Sequence, residues 1–298
     1  MIESSFEGVG GLKIATRSWK PAGSPRAVVV LVHGFNAHSG YMEWPGEQLA
    51  AHGLAAWALD LRGRGNSEGE RFYVEKFSDY LEDVDRLVTL ARGENPGLPL
   101  FVLGHSAGGV IATSWVFEHQ DEVAGLVCES FAFDVGLPHL VQLALEGVGK
   151  IAPHLHVFAL KNADFSRDPQ AVARMNSDPL IAGESQPAET AAELLKAAAR
   201  LKENMPEFRA PVLILHGTAD RATRPAGSQY FHDHAGSTDK TLKLYEGHFH
   251  DLLADLDREA VMADIQSWLD AGSIAGGGSS RKAVRLPTSS PASPFRRG

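Results

Sequence analysis

Apolar residues along the chain fall into short continuous runs separated by longer amphipathic stretches. The first strong run is Ala27-Val28-Val29-Val30-Leu31-Val32-His33; others follow at Ala55–Leu61, Leu100–Leu103, Gly125–Cys128, Pro211–His216 and Lys240–Tyr245. Runs this short, rich in β-branched residues, suit strands covered on both faces, as in a parallel sheet. Between them lie stretches with helical spacing, such as Phe77, Tyr80, Leu81, Val84, Leu87 and Val88, and later Val261, Ile265, Trp268 and Leu269. This alternation predicts an α/β fold with a doubly wound, mostly parallel sheet. The opening, from Phe6 to Trp19 with Gly8, Gly10 and Gly11 in its middle, reads as an antiparallel edge hairpin.

The alternation stops between about residues 131 and 205, which read as an inserted helical cap. Residues 1–130 and 206–270 are then the two parts of one core. Within the insert, Leu137, Leu140, Val141, Ala144, Val148 and Ile151 share a face at helical spacing, widened by Leu143 and Leu145. Two readings stay open: a helix packed on the body, or a lid whose apolar face lines an acyl pocket or meets a lipid surface. On the second reading Leu137, Leu140 and Val141 are substrate-binding candidates. The alanine-rich stretch Ala188–Leu201 reads as a structural helix. Residues 271–298, rich in Gly, Ser, Pro and Arg, carry too little apolar surface to fold and read as a disordered tail.

Composition narrows the function. With 44% hydrophobic and 22% charged residues, a chain of 298 residues can build a large core without staples. Cys128 is the one cysteine, so no intrachain disulfide forms, and its apolar run marks it as a buried structural residue. The formal net charge of −9 becomes −14 for the body once the five bases of the tail (Arg281, Lys282, Arg285, Arg296 and Arg297) are set aside. An acidic body argues against nucleic acid as a partner. No basic-then-apolar leader opens the sequence and no run is long enough to span a membrane, which predicts a cytoplasmic protein. Oligomeric state is left open.

The chemistry concentrates at three places. Gly104-His105-Ser106-Ala107-Gly108 matches G-x-S-x-G, between the strand Leu100–Leu103 and an apolar helical run, Gly109-Val110-Ile111-Ala112. Strand, tight turn and helix are the context in which a serine hydroxyl is lifted out as a nucleophile. A serine needs a base, and the base an orienting carboxylate. Leu213-Ile214-Leu215-His216-Gly217-Thr218-Ala219-Asp220 supplies a strand, a glycine turn and an acid, so Asp220 is the candidate ahead of Asp251 and Asp257. Tyr245-Glu246-Gly247-His248-Phe249-His250 ends a strand with two histidines; the position just before the final helix favours His250 as the base. The pair also resembles an H-x-H metal site, but no third ligand cluster matches it. His232 and His234 read as surface residues. An oxyanion needs backbone donors, which the N–H groups of Ala107 and of Phe35, in the loop His33-Gly34-Phe35, are placed to give. The alternative is that His33-Gly34 is a plain turn.

Together these segments resemble the monoacylglycerol lipase and lysophospholipase group of α/β-hydrolases, over nearly everything from Phe6 to Leu269. The likeness rests on His33-Gly34-Phe35-Asn36-Ala37-His38-Ser39, Asp60–Gly69, Gly104–Gly109, Asn176-Ser177-Asp178-Pro179-Leu180, His216–Asp220 and Tyr245–His250. It implies an α/β-hydrolase sheet with a cap over an acyl pocket. It also implies Ser106, Asp220 and His250 as a triad and a small ester as substrate, with no metal or cofactor. The chain departs from the group at Asn36-Ala37, where Gly-Glu is usual, at Arg64, where histidine is usual, and at Ala107, where methionine is usual. Asn36 therefore joins the substrate-binding candidates. The function expected is carboxylic ester hydrolysis, on monoacylglycerol-like or other small lipophilic esters. Alternatives are a lysophospholipase, an aromatic or short-chain esterase, a perhydrolase or cofactor-free haloperoxidase, and a non-catalytic binding module on the same scaffold.

Overall fold

The computed structural model describes residues 1–136 and 138–276; Leu137 and the tail from residue 277 on lie outside the described residues. An eight-stranded sheet runs in the order β1-β2-β4-β3-β5-β6-β9-β10. The strands are β1 (Ile2–Glu7), β2 (Lys13–Trp19), β3 (Val28–Val32), β4 (Ala55–Leu59), β5 (Leu100–His105), β6 (Gly125–Glu129), β9 (Val212–Gly217) and β10 (Lys240–Tyr245). Pairing is parallel from β4 to β10, and β2 joins β1 and β4 antiparallel. The edge hairpin starts at Ile2 rather than Phe6. Its first strand is almost wholly exposed, so no buried face imprints a pattern on residues 2–5.

The unbroken apolar runs have a direct cause. Successive side chains of a strand point to opposite faces, and both faces are covered. Val28, Val30 and Val32 join the cluster under helices α2 (Phe77–Glu94) and α3 (Ala107–Glu118). Val29 and Leu31 join the one under α1 (Glu43–Ala51) and α8 (Arg258–Gly276). Helix α8 continues six residues past the boundary read from composition. Gly272 in this extension is a close-packing residue: a Cβ on it would lie 2.9 Å from the Phe101 ring.

Between β6 and β9 the described residues add no strand to this sheet. They form α4 (His139–Ile151), β7 (His156–Phe158), α5 (Pro169–Ser177), β8 (Gln186–Pro187) and α6 (Ala188–Asn204), with β7 and β8 paired as a small antiparallel ribbon. Helix α6 buries Leu194, Ala197, Ala198 and Leu201 in the same cluster as α2 and α3. Helix α4 lies against α6 with Gly149 close to Ala188 and Ala192. Helix α7 (Pro225–His234) lies between β9 and β10. No helix among the described residues is long and apolar enough to cross a membrane.

Candidate active site

Ser106 occupies the turn between β5 and α3 with φ 55° and ψ −119°, a backbone strained for any L-residue. Glycines flank it because nothing larger fits. A Cβ on Gly104 would lie 2.5 Å from the Gly108 carbonyl oxygen, and one on Gly108 2.2 Å from the Val32 carbonyl oxygen. A Cβ on Gly34, in the loop after β3, would sit 2.8 Å from the Ser106 Cβ, so that glycine brings the Phe35 backbone up to the serine.

His250 lies in the loop after β10 and is fully buried. Its Nδ1 is 2.8 Å from Oδ2 of Asp220, in the loop after β9. The His250 Nε2 is buried and has no hydrogen-bond partner among the described residues, while the ring is held edge-on by Phe165 at 5.0 Å. Asp220 is tied down on every side. Its Oδ1 accepts from the backbone N–H groups of Ala222 and Thr223, at 2.8 and 2.9 Å. Its Oδ2 also accepts from the Thr223 hydroxyl at 2.8 Å and faces His216 Nε2 at 3.0 Å. Burial alone would raise its pKa; the His250 charge and the His216 hydrogen bond outweigh it and hold the carboxyl far below its usual range.

A cavity of about 280 Å³ opens beside the serine. Phe35, Ser106, Ala107 and Thr223 form its floor, and Val141, Leu145, Phe158, Leu160 and Leu194 are among its walls. Among the described residues, its lining carries no charged side chain.

A family model described as Hydrolase_4, serine aminopeptidase, S33, matches residues 23–257. The chain is 35% identical over 269 residues to a monoacylglycerol lipase of Mycolicibacterium smegmatis, covering 90% of this chain and 96% of that protein. It is 34% identical over 272 residues to the monoglyceride lipase of Homo sapiens, covering 90% of each. The solved monoacylglycerol lipase of Paleococcus ferrophilus superposes with a TM-score of 0.78 at 28% identity, over 87% of this chain and 99% of that one. The chain belongs to the monoacylglycerol lipase-like α/β-hydrolases. It is an ester hydrolase.

Not every pocket candidate of this hydrolase faces the cavity. Val141 lines it, but Leu140 is 79% exposed and points away. The packed side of α4 follows Leu145 and Gly149, so Leu140 and Ile151 fall on its outer face. Asn36 is buried but turned into the insert: its Nδ2 donates to Asn162 Oδ1 at 2.9 Å and to the Leu160 carbonyl at 3.3 Å. Leu137 lies outside the described residues. His248 lies 3.6 Å from Asp255, away from Asp220, and His232 and His234 sit on α7.

Sequence reading also missed residues. Thr223 and His216 hold Asp220: Thr223 stands in no motif, and His216 opens the His216–Asp220 segment without any sign that its side chain turns back to the acid. Behind the site, His105, Glu129 and Asp251 bring one ligand atom each within 4.8 Å of one another, a trio that could hold a cation. Glu129 is buried and accepts from the Leu253 N–H at 3.2 Å. Burial, then the nearby Asp251 charge, pushes Glu129 well above the usual carboxylate range. Burial likewise pushes Asp251 up to about 6. Burial and the His250 charge hold His105 well below its ordinary value.

Proposed function

We propose that Ser106, His250 and Asp220 act as nucleophile, general base and orienting acid in a two-step acyl transfer on a monoacylglycerol-like or other small lipophilic ester. The observation that carries this reading is the 2.8 Å His250–Asp220 contact, together with a serine whose strained turn opens into a cavity with no charged side chain among its described lining residues. His250 takes the Ser106 proton as the hydroxyl attacks the ester carbonyl. The Phe35 and Ala107 amides receive the oxyanion. The alcohol leaves with the proton from His250, and water, activated by the same imidazole, releases the acid. The insert acts as a cap, since α4 and β7 supply the apolar wall for an acyl chain. The family model's description names a peptidase, but a free substrate ammonium would find no carboxylate among the described lining residues. Leu140, Leu143 and Ile151, exposed by 79%, 49% and 88%, give the cap an apolar outer face suited to a lipid surface.

Replacing Ser106 by alanine tests the reading. kcat on a p-nitrophenyl ester is expected to fall by about 10³-fold or more, and labelling by a fluorophosphonate probe to disappear. Hydrolysis near the wild-type rate by that variant would refute the assignment.

A further inference from the structure

The cap does more than cover the cavity: we propose that Glu184, carried by it, is a positioning residue for the oxyanion loop. This rests on the Ser106 acyl-transfer reading and extends it. Glu184 precedes β8, and its side chain is 1% exposed. One carboxylate oxygen, Oε1, gathers three donors. It accepts from the Asn36 backbone N–H at 2.9 Å, from Gln186 Nε2 at 2.8 Å, and from Arg64 Nη1 in a buried ion pair.

Two of those contacts reach the loop. Asn36 follows Phe35 and has φ 52°, a left-handed backbone that a β-carbon disfavours. The bond from its N–H to Glu184 fixes the peptide that joins it to Phe35. Arg64 lies 4.2 Å from the centre of the Phe35 ring, so the guanidinium that Glu184 neutralises also clamps that side chain. Phe35 is thus held on its backbone and on its ring by groups that meet at one carboxylate. The Phe35 N–H must lie within hydrogen-bond reach of the oxyanion, and small displacements of such a donor are costly. Asn36 and Arg64, the two residues that hold Phe35, thus both bond to Glu184.

Deleting Glu184 alone leaves Arg64 buried without a counter-charge, which destabilises any fold. The test therefore uses Glu184→Gln and the double variant Arg64→Met/Glu184→Leu beside Glu184→Ala. Each is assayed for kcat and KM on p-nitrophenyl butyrate, for thermal midpoint, and for inhibition by a trifluoromethyl ketone, which forms an anionic tetrahedral adduct with the serine. Positioning predicts that Glu184→Ala loses about 10- to 100-fold in kcat with KM little changed. The ketone should weaken by a matching factor. Glu184→Gln keeps an acceptor for the Asn36 N–H and should recover most of the rate despite a lower thermal midpoint. The double variant should regain the thermal midpoint and keep the low kcat. Recovery of wild-type kcat by the double variant, or unchanged ketone affinity in Glu184→Ala, would overturn the proposal. Wild-type turnover by Ser106→Ala would instead remove the reading beneath it.

Discussion

The Asp220 carboxylate collects donors from four residues: backbone amides of Ala222 and Thr223, the Thr223 hydroxyl, His216 and His250. A carboxylate so held stays ionised and oriented, and it can fix the His250 tautomer that leaves Nε2 free to accept the serine proton. Thr223 is the most economical probe of this arrangement. Thr223→Val keeps the shape and both backbone bonds but removes one hydrogen bond to Oδ2. We expect kcat to fall by about tenfold, as one hydrogen bond to a charged group is worth about 1.5–3 kcal/mol, some of which water can replace. KM should change less. Unchanged kcat would show that the hydroxyl does not orient the carboxylate. At this scale the sequence exposes Ser106, Asp220 and His250, because each stands in a motif set by strand, turn and helix. Thr223 and Glu184 carry no such mark. Their roles arise from loop conformations that only tertiary packing selects.

Elements were legible where both faces of a strand are buried, as in β3, β5 and β9, since burial itself writes the apolar run. They were illegible where burial is weak. The outer hairpin strand has one hydrogen-bonded neighbour and almost no buried face, and the β7–β8 ribbon is too short for a period to show. Helix α4 is the instructive case, because its apolar residues exceed what one buried face needs. Periodicity located the helix, while its packing faces the cavity through Val141 and Leu145 and leaves Leu140, Leu143 and Ile151 outside. If the insert acts as the proposed cap, its outer apolar face should matter only when substrate is presented in an aggregate. Ile151→Glu, 88% exposed in the wild type, should leave hydrolysis of a soluble p-nitrophenyl ester within about twofold. On vesicle-borne monoacylglycerol its rate should fall about tenfold or more, since burying one such side chain is worth about 1.5–3 kcal/mol. Equal losses on both substrates would mean the residue serves the fold, not the surface.

Over the whole molecule, the strand order gathers distant segments at the carboxyl ends of the parallel strands. The Phe35 loop follows β3, Ser106 follows β5, Glu129 ends β6, Asp220 follows β9, and His250 and Asp251 follow β10. The same convergence that gathers the proposed reacting groups buries surplus acid among the same loops, and folding stability must carry that burden. Glu129 has its folded pKa raised by burial first and by the Asp251 charge next. A carboxyl raised in this way contributes stability that is fully present below its unfolded pKa and lost as pH rises through the folded value. Glu129→Gln resembles the protonated acid: it keeps an acceptor for the Leu253 N–H and offers a donor toward Asp251. The variant should therefore match the wild type in thermal unfolding near pH 4.5 and become the more stable of the two at pH 8.5. Each unit of upward shift supplies about 1.4 kcal/mol of that difference. A gap between the two proteins that does not widen with pH would mean that Glu129 is ionised throughout. The trio would then need a neutralising charge other than a proton, and a cation at His105, Glu129 and Asp251, sought by elemental analysis of the purified enzyme, would become the alternative to test.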